Sequence, residues 1–223
     1  MIRLHRVCKV FDGGPMKLPA LSDITFGVEK GDFVVLSGAS GAGKTTLLRL
    51  LYADERATDG EIEVAGFDVM ALRRREVPLL RRSLGIVFQD SKLLSGRTVF
   101  ENIAFVLRVL GTPRRDITPR AFQALKAVGL SSRAQAYPAQ LSQGEGQRAA
   151  LARAIVRSPA LLLADEPTGN LDEEMASEIL DLIKDIWSRG TTVLLATHQS
   201  RLAAQLKRRT VRLEDGILIK DEG

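Results

Sequence analysis

The chain has 223 residues, 45% of them hydrophobic and 26% charged, with 32 lysines and arginines against 27 acidic side chains and a formal net charge of +5. A chain of this size buries roughly 70% of its unfolded surface, which excludes a disordered segment, and its single cysteine, Cys8, excludes a disulfide-stapled scaffold. Apolar runs such as Ala160–Ala164 and Val193–Ala196 fall far short of the ~20 residues of a membrane span, and the opening Met1-Ile2-Arg3-Leu4-His5-Arg6 lacks the apolar block of a secretory signal. A cytoplasmic protein is expected. Two histidines, His5 and His198, are too few for a zinc cluster. Basic clusters at Arg73–Arg75, Arg81–Arg82 and Lys207–Arg209 carry no interleaved aromatics. They read as solvated faces, or as contacts with a partner or lipid headgroups, and no specific nucleic acid is expected.

Alternating residues over Ile2–Phe11 and Ile24–Val28 predict strands, with Gly13-Gly14-Pro15 as a loop between them. Phe33–Ser37 is continuously apolar up to its last residue, the pattern of a strand buried on both faces, and is followed by glycines and a helical run from Lys44 to Leu51. Further buried strands are expected at Leu84–Phe88, Ala160–Ala164, Thr192–Ala196 and Thr210–Leu213. Between Phe88 and Ala160 the pattern is helical. Val99, Ile103, Val106 and Leu110 form one apolar face, Phe122, Leu125 and Val128 another, and Ala149–Val156 a third, with breaks at Gly111-Thr112-Pro113 and Tyr137-Pro138. The expected architecture is a parallel α/β core carrying a helical subdomain.

Gly38-Ala39-Ser40-Gly41-Ala42-Gly43-Lys44-Thr45 fits G-x-x-x-x-G-K-[ST] between a buried strand and a helix. Glycines let successive N–H groups converge on phosphate oxygens, and the helix N-terminus adds partial positive charge. Lys44 would reach the β- and γ-phosphates and Thr45 would place its hydroxyl on Mg²⁺; Thr46 joins the same nucleotide-binding set. The apolar strand before Asp165 delivers that carboxylate at its carboxyl end, where it would orient the Mg²⁺ shell, and Glu166, one residue on, is the candidate general base for the attacking water. At Leu141-Ser142-Gln143-Gly144-Glu145, Ser142 and Glu145 have the spacing of a capping box, and a capped helix N-terminus is also an anion site.

Taken together and in this order, these segments resemble the ATP-binding cassette (ABC) ATPases, whose signature is usually L-S-G-G-Q or L-S-G-G-E. The resemblance covers essentially the whole chain. It implies an α/β P-loop NTPase fold with a RecA-like parallel-sheet core, a small antiparallel β-subdomain and an inserted helical subdomain. One domain, 1–223, would divide into a core of 1–89 and 158–223 and a helical lobe of 90–157. By the same resemblance Phe11 stacks on adenine, Gln89 is the Q-loop residue that senses nucleotide and metal, Asp172 belongs to the D-loop, and His198 is the switch histidine. Gln143 replaces the usual first signature glycine and Gly146 stands where glutamine is common, which implies a weaker or slower site.

The resemblance further implies an ATP-dependent homodimer in which Ser142 and Gly144 of one chain meet the γ-phosphate held by Lys44 of the other. Its receiver is an integral membrane subunit docking near Gln89 to Val99, in a groove involving Leu93, Leu94 and the helix from Val99, so the chain would be peripheral on the inner face of the membrane. The segment from Arg74 to Thr98 looks most similar to the cell-division branch of the family. There the partner is an FtsX-like permease and the motion activates cell-wall hydrolases. The run Pro167–Asp172 is shared with lipoprotein-release and macrolide-export ATPases, which stand as the alternative.

Overall fold

The computed structural model describes residues 1–13 and 16–222. An antiparallel sheet takes the order β2 (Met16–Val28), β1 (Ile2–Gly13), β4 (Asp59–Val64), β5 (Phe67–Asp68). A second sheet runs β10 (Ile217–Glu222), β9 (Arg209–Glu214), β3 (Phe33–Ser37), β8 (Thr192–Thr197), β7 (Leu161–Asp165), β6 (Leu84–Val87), with all neighbours parallel except β10 on β9. The helices are α1 (Lys44–Leu51), α2 (Val77–Ser83), α3 (Val99–Val109), α4 (Arg114–Ala127), α5 (Gln143–Ile155), α6 (Glu173–Ser188) and α7 (Ser200–Leu206).

Residue parity along the central strands explains the layering. Phe33, Val35, Leu162, Ala164, Val193 and Leu195 enter one hydrophobic cluster with α3 to α7. Their neighbours Val34, Leu36, Leu161, Leu163, Leu194 and Ala196 enter the other, shared with α1 and the antiparallel sheet. Successive strand residues point to opposite faces, so a strand sandwiched between two layers must be apolar at nearly every position. Each fully buried leucine stabilises this sandwich by roughly 1.5–3 kcal/mol.

The differences from the sequence expectations have local causes. The first two strands are longer than expected and Gly13 is the last residue of β1, while Gly14 and Pro15 of the expected loop lie outside the described residues. Strand β6 stops at Val87 rather than Phe88, whose carbonyl accepts from Gln147 Nε2 at 3.0 Å instead of joining the sheet. Helix α3 has two apolar faces, not one. Val99, Ile103, Ala104 and Leu107 are buried in the core, whereas Phe105, Val106, Val109 and Leu110 line a groove on the other side. Among the described residues no helix is long and apolar enough to cross a membrane.

Candidate nucleotide site

Strand β3 ends in a loop in which Gly38 and Gly43 are wedged against neighbouring backbone while Gly41 stands in open space. A Cβ on Gly38 would lie 2.2 Å from the Leu213 carbonyl oxygen, and one on Gly43 2.7 Å from that of Ala20. Gly43 is also the N-cap of α1, at φ 103°, a left-handed conformation that side chains resist. Helix α1 therefore begins with no side-chain cap and no acidic residue in its first turn. Its leading N–H groups and its positive dipole end stay available to an anion. By contrast α3, α5 and α6 are closed by the side chains of Thr98, Ser142 and Asp172.

Lys44 is buried at the head of α1, where its Nζ donates to the carbonyls of Gly38 at 2.8 Å and Ala39 at 2.9 Å. The same ammonium lies 3.4 Å from Glu166 Oε1. Thr45 Oγ1 donates to Asp165 Oδ1 at 3.1 Å, joining α1 to the end of β7. Burial pushes the Asp165 carboxyl above the usual carboxylate value; the Thr45 hydrogen bond works against that shift, and the adjacent Glu166 carboxylate adds to it. Such a group gains from a cation beside it, and the Thr45 hydroxyl and Asp165 carboxylate are hard oxygen donors of the kind Mg²⁺ takes. Thr46 follows, half-buried, on the same turn, while Ser40 and Gly41 face solvent.

Glu166 sits at φ 47°, outside the strand, with its N–H donating to the Ala196 carbonyl at 3.0 Å. This kink turns its carboxylate toward Lys44 and His198 and away from Asp165's role. His198 Nδ1 lies 2.9 Å from Glu166 Oε2 without forming a hydrogen bond, so that buried oxygen has no donor among the described residues. An orphaned carboxylate oxygen beside a phosphate cradle is the acceptor that a water proton would need. Gln89 joins the group through Gly169: a Cβ there would lie 3.1 Å from Gln89 Nε2, and the Gly169 N–H donates to the Glu166 carbonyl at 3.0 Å.

The signature residues occupy a different place. Ser142 Oγ accepts from the Glu145 N–H at 3.2 Å while Glu145 Oε2 accepts from the Ser142 N–H at 2.9 Å, a complete capping box. The Ser142 N–H, then Arg133, holds the Glu145 carboxyl below its usual value. Gly144 packs under Met175, and with Ser142 and Asp172 it lines a hollow of about 250 Å³. Among the described residues, no hydrogen bond or ion pair links this cluster to Lys44 or Glu166 in the same chain. Phe11 is half-buried on β1 with the Lys9 ammonium 4.5 Å from its ring centroid. Gln143 is helical and exposed, so its replacement of glycine carries no backbone strain.

Sequence reasoning passes over three residues that hold the segment after β6. Gln147 and Arg153 on α5 donate to the carbonyls of Phe88, Ser91 and Lys92, and Asn102 of α3 binds the backbone of Leu94, Arg97 and Thr98. Their buried polarity on apolar helices is the only sequence signal. The segment expected to dock the membrane subunit is partly open: Gln89 to Leu93 line a hollow of about 360 Å³ and Leu94 is 42% exposed, while Val99 is fully buried. Arg153, which holds the Ser91 and Lys92 carbonyls, also lines a second, apolar groove formed by Pro78, Ile86, Phe105, Val106, Val109 and Val156, among others, around about 420 Å³.

A strand-loop-helix phosphate cradle, a carboxylate pair at the end of β7, two strands along the sheet from β3, and a separate capped signature helix define a class, the P-loop ATPases of the cassette type. The ABC transporter family matches residues 21–169, and the chain belongs to it. The cell division ATP-binding protein FtsE of Streptococcus pneumoniae (strain D39) is 44% identical over 222 residues, spanning 100% of this chain and 95% of that protein. FtsE of Mycobacterium tuberculosis (strain H37Rv) is 47% identical, with 100% and 96% covered. A dimeric ATP-binding cassette solved in a post-hydrolysis state with ADP and Pi superposes with a TM-score of 0.91 at 32% identity, covering 100% of this chain and 98% of that one. The chain is an ATP-binding cassette and an ATPase.

Proposed function

We propose that this chain is the ATP-hydrolysing subunit of an FtsE-like cell-division complex, coupling ATP-driven dimer closure to an FtsX-like membrane partner and through it to cell-wall hydrolases. Identity of 44% and 47% to FtsE over the full chain supports that branch, and the lipoprotein-release and efflux alternative is not favoured.

The observation that carries the hydrolytic assignment is Glu166. Its Oε1 faces Lys44 and its Oε2, without a donor, is positioned to take a proton from water. As that water's oxygen bonds to the γ-phosphorus, the bond from phosphorus to the β,γ-bridging oxygen breaks and ADP leaves with the bridging oxygen's charge. Lys44, released from the Gly38 and Ala39 carbonyls, holds the β- and γ-phosphates in the cradle of Gly38 to Thr45, with Thr46 beside it. His198 steadies Glu166 and the γ-phosphate end. Mg²⁺, held by Thr45, Asp165 and Gln89, would neutralise phosphate charge. Phe11 stacks on adenine.

Completion of the site requires a second copy, in which Ser142, Gly144 and Glu145 face the first copy's γ-phosphate and Asp172 lies at the seam. Residues 90–157 act as the lobe that moves against the core of 1–89 and 158–223, through Gln89 and the carbonyls held by Gln147 and Arg153. The membrane subunit docks near Gln89 to Val99 and reaches from there into the groove between α2, α3 and the end of α5, which keeps the chain on the inner face of the membrane. No specific nucleic acid takes part.

The test is capture. Glu166→Gln, purified from detergent-solubilised membranes with ATP and Mg²⁺, should retain a small permease with one large extracytoplasmic loop. Recovery of a lipoprotein or efflux permease would move the function to export, and recovery of nucleic acid without a membrane protein would overturn both.

A further inference from the structure

Charge is divided unevenly along this chain. Residues 71–160 hold 16 lysines and arginines against 5 acidic residues, whereas the remainder holds 16 against 22. The positive excess therefore belongs to the part that carries α2 to α5 and the groove between them. Much of it is engaged: Arg81 binds the Tyr52 and Ala53 carbonyls and Asp54, and Arg153 binds the Ser91 and Lys92 carbonyls.

Several exposed arginines are not engaged, and four of them lie in or beside the groove. Arg74, Arg75, Arg82 and Arg157 make no hydrogen bond or ion pair with any described residue. Arg82 and Arg157 line the groove, which has no acidic residue in its wall, and Arg74 and Arg75 lie immediately before α2, whose Pro78 also lines it. Leu79 stands between these charges, 49% exposed, and Val109 projects from the groove wall, 56% exposed. The four side chains come from separate backbone positions, two in the groove wall and two on the approach to α2. That arrangement suits a broad, fluid, negatively charged surface better than a single carboxylate.

We propose that this rim is a contact face for anionic phospholipid headgroups, with the four arginines over the phosphates and Leu79 and Val109 at the apolar boundary. The inference rests on the reading that the groove seats a membrane subunit, which brings the rim within a Debye length, about 8 Å at physiological ionic strength, of the bilayer. Each arginine near such a surface raises partitioning about fivefold. The face would orient the ATPase on the membrane before its partner is engaged, and Arg74 and Arg75, outside the groove wall, would keep their lipid contacts afterwards.

The test uses the purified full chain and vesicles in a flotation assay, comparing phosphatidylcholine alone with a mixture containing about 30% phosphatidylglycerol. Binding should require the anionic lipid and weaken as salt rises from about 50 to about 300 mM. The triple variant Arg74→Glu/Arg75→Glu/Arg82→Glu should lose at least tenfold, while Lys30→Glu/Arg189→Glu/Lys207→Glu, with the same change in net charge, should lose little. ATP hydrolysis by both variants reports that they are folded. Equal binding to neutral and anionic vesicles, or equal loss in both variants, would overturn the proposal. So would unchanged vesicle binding by the groove-side variant together with lost capture of the membrane subunit in detergent, because the rim would then face protein. If vesicles fail while Glu166→Gln still captures a permease, only the lipid inference falls.

Discussion

Helices α1 and α5 both begin at segments proposed to meet nucleotide, and their N-termini are built in opposite ways. The start of α1 is left open, with glycine at its cap and no acid in its first turn, and its lysine is turned back onto the loop carbonyls. The start of α5 is closed by the reciprocal bonds of Ser142 and Glu145. An open helix end anchored by buried strands is a finished receptor for phosphate. A closed one at the surface is a rigid contact for something already bound, which is what a site shared between two copies needs.

The comparison is tested most severely at Glu166. Glu166→Gln should retain ATP binding, measured with a fluorescent nucleotide, while turnover falls about 10²- to 10⁴-fold; turnover within threefold of the parent would remove Glu166 from the base role. Next in size is Gly38→Ala, whose new methyl group meets the Leu213 backbone and should cost about 2–3 kcal/mol in urea unfolding. Gly144→Ala is the paired control. There the Cβ would come 2.9 Å from Met175 Sδ, the movable part of a flexible side chain, so its loss should be clearly smaller. Equal losses would mean that the loop before α1 and the first turn of α5 do not differ in rigidity.

Ser142→Ala should cost about 1 kcal/mol by opening the cap of α5. The pH dependence follows from Glu145, whose folded pKa lies below its unfolded value. Its contribution is complete above the unfolded glutamate value of about 4.3 and is lost as pH falls through the folded one. The stability difference between Glu145→Gln and the parent should therefore shrink as pH falls below that unfolded value, and a constant difference would exclude the bonds to the Glu145 carboxylate as its cause. The smallest effect is a gain. At Gly146 a Cβ would meet only Ser91, at 3.8 Å, inside a helix, so Gly146→Ala should stabilise by up to ~1 kcal/mol, read as a higher Tm.

How far the sequence is legible depends on whether the signal is local. The continuously apolar strands, the glycine-lysine loop and the Ser142 cap are each contained in a few adjacent residues, and the structure places each of these elements within a residue or two. Strand β4 escapes because Asp59-Gly60-Glu61-Ile62-Glu63-Val64 buries only Ile62 and Val64 and otherwise reads as charged loop. Helix α6 carries a clear period in Ala176, Ile179, Leu180, Ile183 and Ile186, but the motif ending at Asp172 draws the reading away from it. The partners of Gln147 and Arg153 lie about sixty residues away, and no local pattern announces them. The second apolar face of α3 is hidden for a different reason: a helix apolar on two sides does not say which side is core.

The edges of the parallel sheet have a consequence for how copies of this chain meet. Strand β10 runs against its neighbour and ends in Lys220, Asp221 and Glu222, with Asp221 gripped by Arg209 across the pair. At the other edge β6 is only four residues long and packs under α5 and Pro159. A charged edge and a short, covered one both resist strand addition by another molecule. Growth of the parallel sheet by strand-to-strand stacking of copies is thereby discouraged from either side.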